Sequence, residues 1–234
     1  MDRAYENTYI GTFIYTLGFV LGTQHTVGNP VPPISLNLFQ QTPADKWIGD
    51  VFASLGGKNF LIEFKRTEGK LDEKEIKKSH RLAEEIFKSD FSHLKEISFM
   101  SHFLACGYLN DQGNAGLFVK PYLGVADLNC QPFDEGTFIR GMLSGVAKIV
   151  IGDKTKNMPI GYSGEQFQDY LRLLKRLFDV GSSSSSGGII MNVSEDGKIT
   201  YLASDNIFDL TKTLEHYYEK QFQIRPARSH GLSR

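Results

Sequence analysis

The sequence predicts an α/β protein with a mixed central sheet flanked by helices, followed by an α+β extension. Three observations carry that prediction. Apolar residues recur at helical spacing before residue 22 and again between residues 72 and 88. Between those stretches lie short runs rich in β-branched and aromatic residues, two of them joined by Gly56-Gly57. A longer apolar run, Glu96 to Tyr108, follows the second helix and reads as a long strand. The order is therefore helix, three strands, helix, strand: αβββαβ.

Residues 3–21 fit a helix with Ile10, Phe13, Ile14, Leu17 and Leu21 on one face. Its glycines and β-branched residues lower helix propensity, which leaves a strand pair as the alternative. Asn7 to Ala44 holds no Asp, Glu, Lys or Arg. The apolar stretch Thr8 to Gly22 is nevertheless broken by Thr12, Thr16 and three glycines, and it is shorter than the roughly 20 residues of a membrane span. It reads as a buried core helix with no membrane partner. Gly28 to Pro33 is a loop marked by Asn-Pro and Pro-Pro. Ile34 to Gln40 alternates as ISLNLFQ, a strand, and residues 41–46 turn into a hairpin.

The hairpin arms are Val51 to Leu55 and Asn59 to Phe64, with Gly56-Gly57 supplying the φ > 0 turn. Asp72 can cap a helix running to about Lys88, with Glu75 three residues on as in a capping box. Ile76, Leu82, Ala83, Ile86 and Phe87 are its expected inner face, and its lysines read mostly as solvated surface. Gly116 to Gly124 is a further strand. Helices are expected over Asp134 to Ile151, Gly164 to Val180 and Ile207 to Phe222. GSSSSSGG (181–188) is a flexible tract, Ile189 to Ala203 a hairpin, and Arg225 to Arg234 a loose basic tail. Residues 1–125 form the expected core, and residues 126–234 an extension packed on it as one compact unit.

The hairpin carries the chemistry. If Gly56-Gly57 is a two-residue loop, Leu55 faces Lys58 and Asp50 faces Glu63. Directly opposed side chains have Cβ atoms roughly 4.5–5.5 Å apart. Two carboxylates at that range repel unless one is protonated or a cation lies between them. Lys65, two residues past Glu63, points to the same face. Val51, Ala53, Phe60, Ile62 and Phe64 fall on the other face, while Phe52 and Leu61 make the carboxylate side apolar as well. Hard oxygen ligands of this kind suit Mg²⁺ or Mn²⁺, which makes metal-assisted hydrolysis the expected chemistry. The plainer alternative is a solvated strand face with ordinary ion pairs.

The spacing of Asp50 and Glu63-Phe64-Lys65 resembles the PD-(D/E)XK nuclease superfamily, and the αβββαβ order over about residues 3–108 resembles the restriction-endonuclease-like core. The resemblance implies metal-ligand roles for Asp50 and Glu63, a catalytic role for Lys65, and a backbone carbonyl ligand at Phe64. It also makes Glu6, in the first helix, a candidate to complete the metal site; a first-turn acid favoured by the helix dipole is the equal alternative. The proline that precedes the aspartate in the family is absent, since Ile48-Gly49 stand there, and Asp45, after Pro43-Ala44, ranks second to Asp50. A Gln166…Tyr170 pattern, which some RecB-like members place soon after the lysine, lies far downstream and is read as coincidence.

Composition sets bounds. The 234 residues are 41% apolar and 23% charged, with a net charge of −1, so attraction to nucleic acid has to come from a local patch. Cys106 and Cys130 cannot form a metal quartet, and a reducing, cytoplasmic setting is expected. The start MDRAYEN shows no secretory signal. His80, His93 and His102 lack zinc spacing, and neither a phosphate-cradling glycine loop nor a nucleophile elbow is present.

Two functions are carried forward. One is a Mg²⁺-dependent DNA endonuclease, with DNA ahead of RNA, acting in restriction or phage defence by analogy. The other is a catalytically silent nuclease-like fold serving as a binding or assembly module. The near-neutral charge makes a homo-oligomer or a protein partner that supplies affinity for nucleic acid the expected setting.

Overall fold

The computed structural model describes residues 5–24, 34–38, 49–67, 73–88, 91, 93–125, 132–151, 154–178, 188–193 and 199–204. The first helix, α1, spans Glu6–Gln24 and buries Tyr9, Ile10, Phe13, Leu17 and Leu21, one helical stripe, while Tyr5, Tyr15 and Phe19 are exposed. Among the described residues no helix is long and apolar enough to cross a membrane.

Strands β1 (Ile34–Leu38), β2 (Val51–Leu55) and β3 (Lys58–Lys65) form an antiparallel meander. Gly56 (φ 56°) and Gly57 (φ 82°) make the tight turn, and Leu55 pairs Lys58, so the hairpin register is the one the two-glycine loop dictates. In β1 the polar positions are the buried ones: Ser35 and Asn37 lie inside, and Leu38 is exposed.

Helix α2 (Glu73–Phe87) leads to a short helix α3 (Leu94–Ser101) and to β4 (His102–Leu109), which is parallel to β3. The expected strand over Glu96 to Tyr108 is thus corrected. Its first half is helical, because Leu94, Ile97, Ser98 and Ser101 form a buried helical stripe, and extended backbone begins only at His102 (φ −121°, ψ 119°). Strand β5 (Ala115–Pro121) runs into a 3₁₀ turn, Tyr122–Val125, where a continuous strand to Gly124 was expected.

A two-residue strand β6 (Phe133–Asp134) precedes helix α4 (Glu135–Ser144). Asp134 caps α4 by accepting the Thr137 N–H (2.9 Å), and Gly145, left-handed at φ 70°, ends it. The helix expected to reach Ile151 therefore stops seven residues early. The β-branched run that follows becomes β7 (Val146–Ile151), paired with β8 (Lys154–Pro159) in a separate ribbon. Helix α5 spans Gly164–Phe178, and β9 (Gly188–Val193) and β10 (Ile199–Ser204) form the late hairpin. The expected loop at 28–33, Asp45, the Asp72 cap, the tract at 181–187, the helix over 207–222 and the basic tail lie outside the described residues.

The main sheet is mixed, with strand order β10-β9-β1-β2-β3-β4-β5-β6: six strands from residues 34–134, extended at one edge by the late hairpin. Helices cover both faces. On one side α1 and α4 pack over Val51, Ala53, Phe60, Ile62 and Phe64; on the other α2, α3 and α5 pack over Phe52, Leu61 and Leu104. That second side holds the site.

Candidate metal centre

The hairpin brings Asp50, Glu63, Phe64 and Lys65 together. The β2–β3 ladder ends at Val51 and Ile62, and the chain just before it stays close: the Asp50 N–H donates to the Ile62 carbonyl (3.2 Å). The Asp50 carboxylate then turns onto the neighbouring strand, where Oδ2 accepts the Phe64 N–H at 2.6 Å. Gly49 permits this approach. Its φ of +113° is open to glycine, and a Cβ there would stand 3.2 Å from Glu63 Oε2. Asp50 and Glu63 are both buried, and the Lys65 ammonium donates to Glu63 Oε1.

A third carboxylate joins them, one that sequence reading assigned to helix capping. Helix α2 buries Glu75, Ser79, Leu82 and Ile86, a stripe at i, i+4, i+7 and i+11. The expected inner face is therefore rotated: Ile76 and Phe87 are exposed and Glu75 points in. Glu75 Oε2 lies 3.8 Å from Lys65 Nζ, and Oε1 accepts the buried Tyr122 hydroxyl and lies 3.8 Å from Lys78 Nζ. The Tyr122 ring stacks on His102 at 4.2 Å between centroids, and His102 Nδ1 is 2.7 Å from the Tyr170 hydroxyl, which also accepts from Ser98 Oγ (2.9 Å). A connected set of buried polar groups thus runs from β3 to α5.

The electrostatics match the packing. Burial first, and then repulsion from Asp50, push the Glu63 carboxyl up to about 8 from 4.5. Burial opposes the charge on Lys65, yet Glu63, Glu75 and Asp50 more than offset it and hold the ammonium above the ordinary lysine range. Burial holds His102 neutral, its pKa down to about 3, so it serves as a hydrogen-bonded core group.

Glu6 sits half-buried in the first turn of α1, the helix that packs on the opposite face of the sheet. That turn does reach the same end of β3, where the Arg66 guanidinium lies over the Tyr5 ring at 5.3 Å. Gln166 is exposed and accepts from Ser163 Oγ (3.2 Å), whereas Tyr170 is fully buried, so the two residues of that pattern serve separate structural roles.

No protein-family profile, curated protein or solved structure matches this chain. The site has to be read from its own chemistry. Among the described residues no group of three or more His, Cys, Asp or Glu gathers in ligand geometry. Among the described residues, the offer to a cation is two buried carboxylates, Asp50 and Glu63, with the Phe64 carbonyl between Glu63 and Lys65 in the chain. A donor set of one or two carboxylates suits Mg²⁺, which keeps several of its waters, and does not suit a closed zinc site.

Proposed function

We propose that this protein is a metal-dependent phosphodiesterase, a DNA endonuclease of the restriction-endonuclease-like kind. One observation carries the reading: two buried carboxylates, Asp50 and Glu63, lie beside the partly buried Lys65 on one hairpin face, with Glu63 held well above its ordinary pKa. Ionisable groups are rarely buried in this way without a partner or a use. The order of helix, three strands, helices and a strand parallel to β3 supports the fold resemblance. Asp50, Glu63 and the Phe64 carbonyl would hold Mg²⁺ or Mn²⁺, with Glu6 as a further ligand by resemblance. Such an ion, when bound, polarises a phosphoryl oxygen and lowers the pKa of its water. Lys65, its side chain about one-fifth exposed, orients the attacking water or stabilises charge developing on the phosphate. The net charge of −1 supports a second copy or a protein partner that delivers DNA in a cytoplasmic setting.

A second reading, a silent binding or assembly module, is favoured by the Lys65–Glu63 pair itself, which already compensates one carboxylate. Cleavage of plasmid and single-stranded DNA in Mg²⁺, Mn²⁺ and EDTA separates the two. Metal-dependent cutting lost in both Asp50→Ala and Lys65→Ala supports the nuclease. Cutting that survives both substitutions removes the chemistry from this site.

A further inference from the structure

We propose that Glu75 is the positioning residue of the lysine: it is the anion to which the Lys65 ammonium moves when a divalent cation takes Glu63. The inference deepens the metal-dependent reading above and rests on it. It starts from a conflict in the geometry. Lys65 donates to Glu63 Oε1, so the lysine sits on an oxygen that a cation would need. A divalent ion on Glu63 repels the ammonium and takes over its partner. The lysine side chain is largely buried, and an ammonium leaving its carboxylate inside a protein meets a large desolvation penalty unless another anion receives it.

Glu75 is built to be that anion. Its Oε2 stands 3.8 Å from Lys65 Nζ, too long for a hydrogen bond and about 1 Å beyond the usual charge-assisted length. A small rotation of the lysine closes the gap. Glu75 itself is held in place, since its other oxygen accepts the Tyr122 hydroxyl. The Tyr122 ring is in turn fixed by its stack on His102 (interplanar angle 3°), and the Tyr122 carbonyl accepts the Ser79 hydroxyl (3.1 Å) from the same stripe of α2. Lys78, 3.8 Å from Oε1, adds a second cation to the Glu75 carboxylate. One oxygen is thus tied to the scaffold while the other faces the lysine. In the cation-free protein Lys65 occupies Glu63; in the loaded protein Glu75 keeps the ammonium charged and beside the ion, where it can meet substrate.

Calorimetric titration of the full chain with Mn²⁺ at one pH tests this, with Asp50→Asn as the site control. Glu75→Gln is expected to bind Mn²⁺ about 10–100-fold more weakly, the cost typical of losing a group that orients a metal ligand's surroundings. Glu75→Asp restores part of that loss, and Tyr122→Phe, which keeps the ring stack, shows a smaller loss in the same direction. In protein labelled with ¹⁵N-lysine, Mg²⁺ shifts the Lys65 ammonium signal in the wild type and leaves it in place in Glu75→Gln. Wild-type affinity in a folded Glu75→Gln, or in Tyr122→Phe should Glu75→Gln fail to fold, overturns the inference. Equal, negligible Mn²⁺ binding by the wild type and Asp50→Asn overturns the metal reading together with it.

Discussion

Strand β3 presents two faces of opposite character. Toward α1, Phe60, Ile62 and Phe64 are fully buried, and Phe64 meets Phe13 edge-on at 5.5 Å while Phe13 and Phe103 close on Phe138. Toward α2, Leu61 is followed by Glu63 and Lys65, enclosed with Asp50, Glu75 and Tyr122. The backbone is the same and the burial similar. The apolar face gains stability from area alone and tolerates repacking. The polar face gains only what its partners return, and its cost rises steeply when one partner is removed. A fold needs the first face; the second makes sense as a place where charge is handled.

The contrast sharpens into measurable differences. Phe13→Ala should destabilise the protein by about 3–5 kcal/mol in urea unfolding, as large-to-small core changes do, while leaving Mn²⁺ affinity of the folded protein unchanged. Lys65→Ala and Asp50→Asn should act on the chemistry instead: cleavage falls by about 10²–10³-fold, the usual effect of removing one preorganised charge-stabilising group. Asp50→Asn should not lower the unfolding midpoint in metal-free buffer, because it relieves repulsion on Glu63. If Asp50→Asn destabilised as strongly as Phe13→Ala, the two faces would be alike and the comparison would fail.

Glu63 gives a pH signature of intermediate size. Its folded pKa of about 8 exceeds the unfolded 4.5, so between those values the folded state holds a proton that the unfolded chain has released. The stabilisation is complete below about pH 4.5 and is lost as the pH rises through about 8. In EDTA, stability should therefore fall over that window by a few kcal/mol, on the order of 1.4 kcal/mol per unit at most, and Glu63→Gln should flatten the curve. A wild-type curve that rises across the window would contradict a burial cost on Glu63 that outweighs its pairing with Lys65. Smallest is Gly49→Ala, expected to cost about 1–3 kcal/mol of backbone strain at φ +113° and to weaken Mn²⁺ binding by crowding Glu63 Oε2.

The hairpin was legible because a two-residue glycine turn leaves one register, and that register alone puts Asp50 beside Glu63 and Lys65 on their face. Glu75 was not legible. It reads as a first-turn acid at capping distance, and Ile76 beside it draws the apolar face a position too far, whereas packing against the 3₁₀ turn at Tyr122 selects the Glu75-Ser79-Leu82-Ile86 stripe. The change from helix to strand at His102 was missed because the apolar residues on either side of Ser101-His102 read as one run. Gly145 did offer a signal, a glycine before the β-branched run VAKIVI, but the apolar spacing ran through it. The β8 strand, KTKNMP, has no alternating pattern and is defined by its partner β7.

The most direct test of the central claim is a crystal structure with Mn²⁺, read by anomalous scattering. The account predicts one peak bounded by the Asp50 and Glu63 carboxylates and the Phe64 carbonyl, with Lys65 Nζ moved off Glu63 and onto Glu75. A peak elsewhere, or none, with Lys65 still bonded to Glu63, would contradict it.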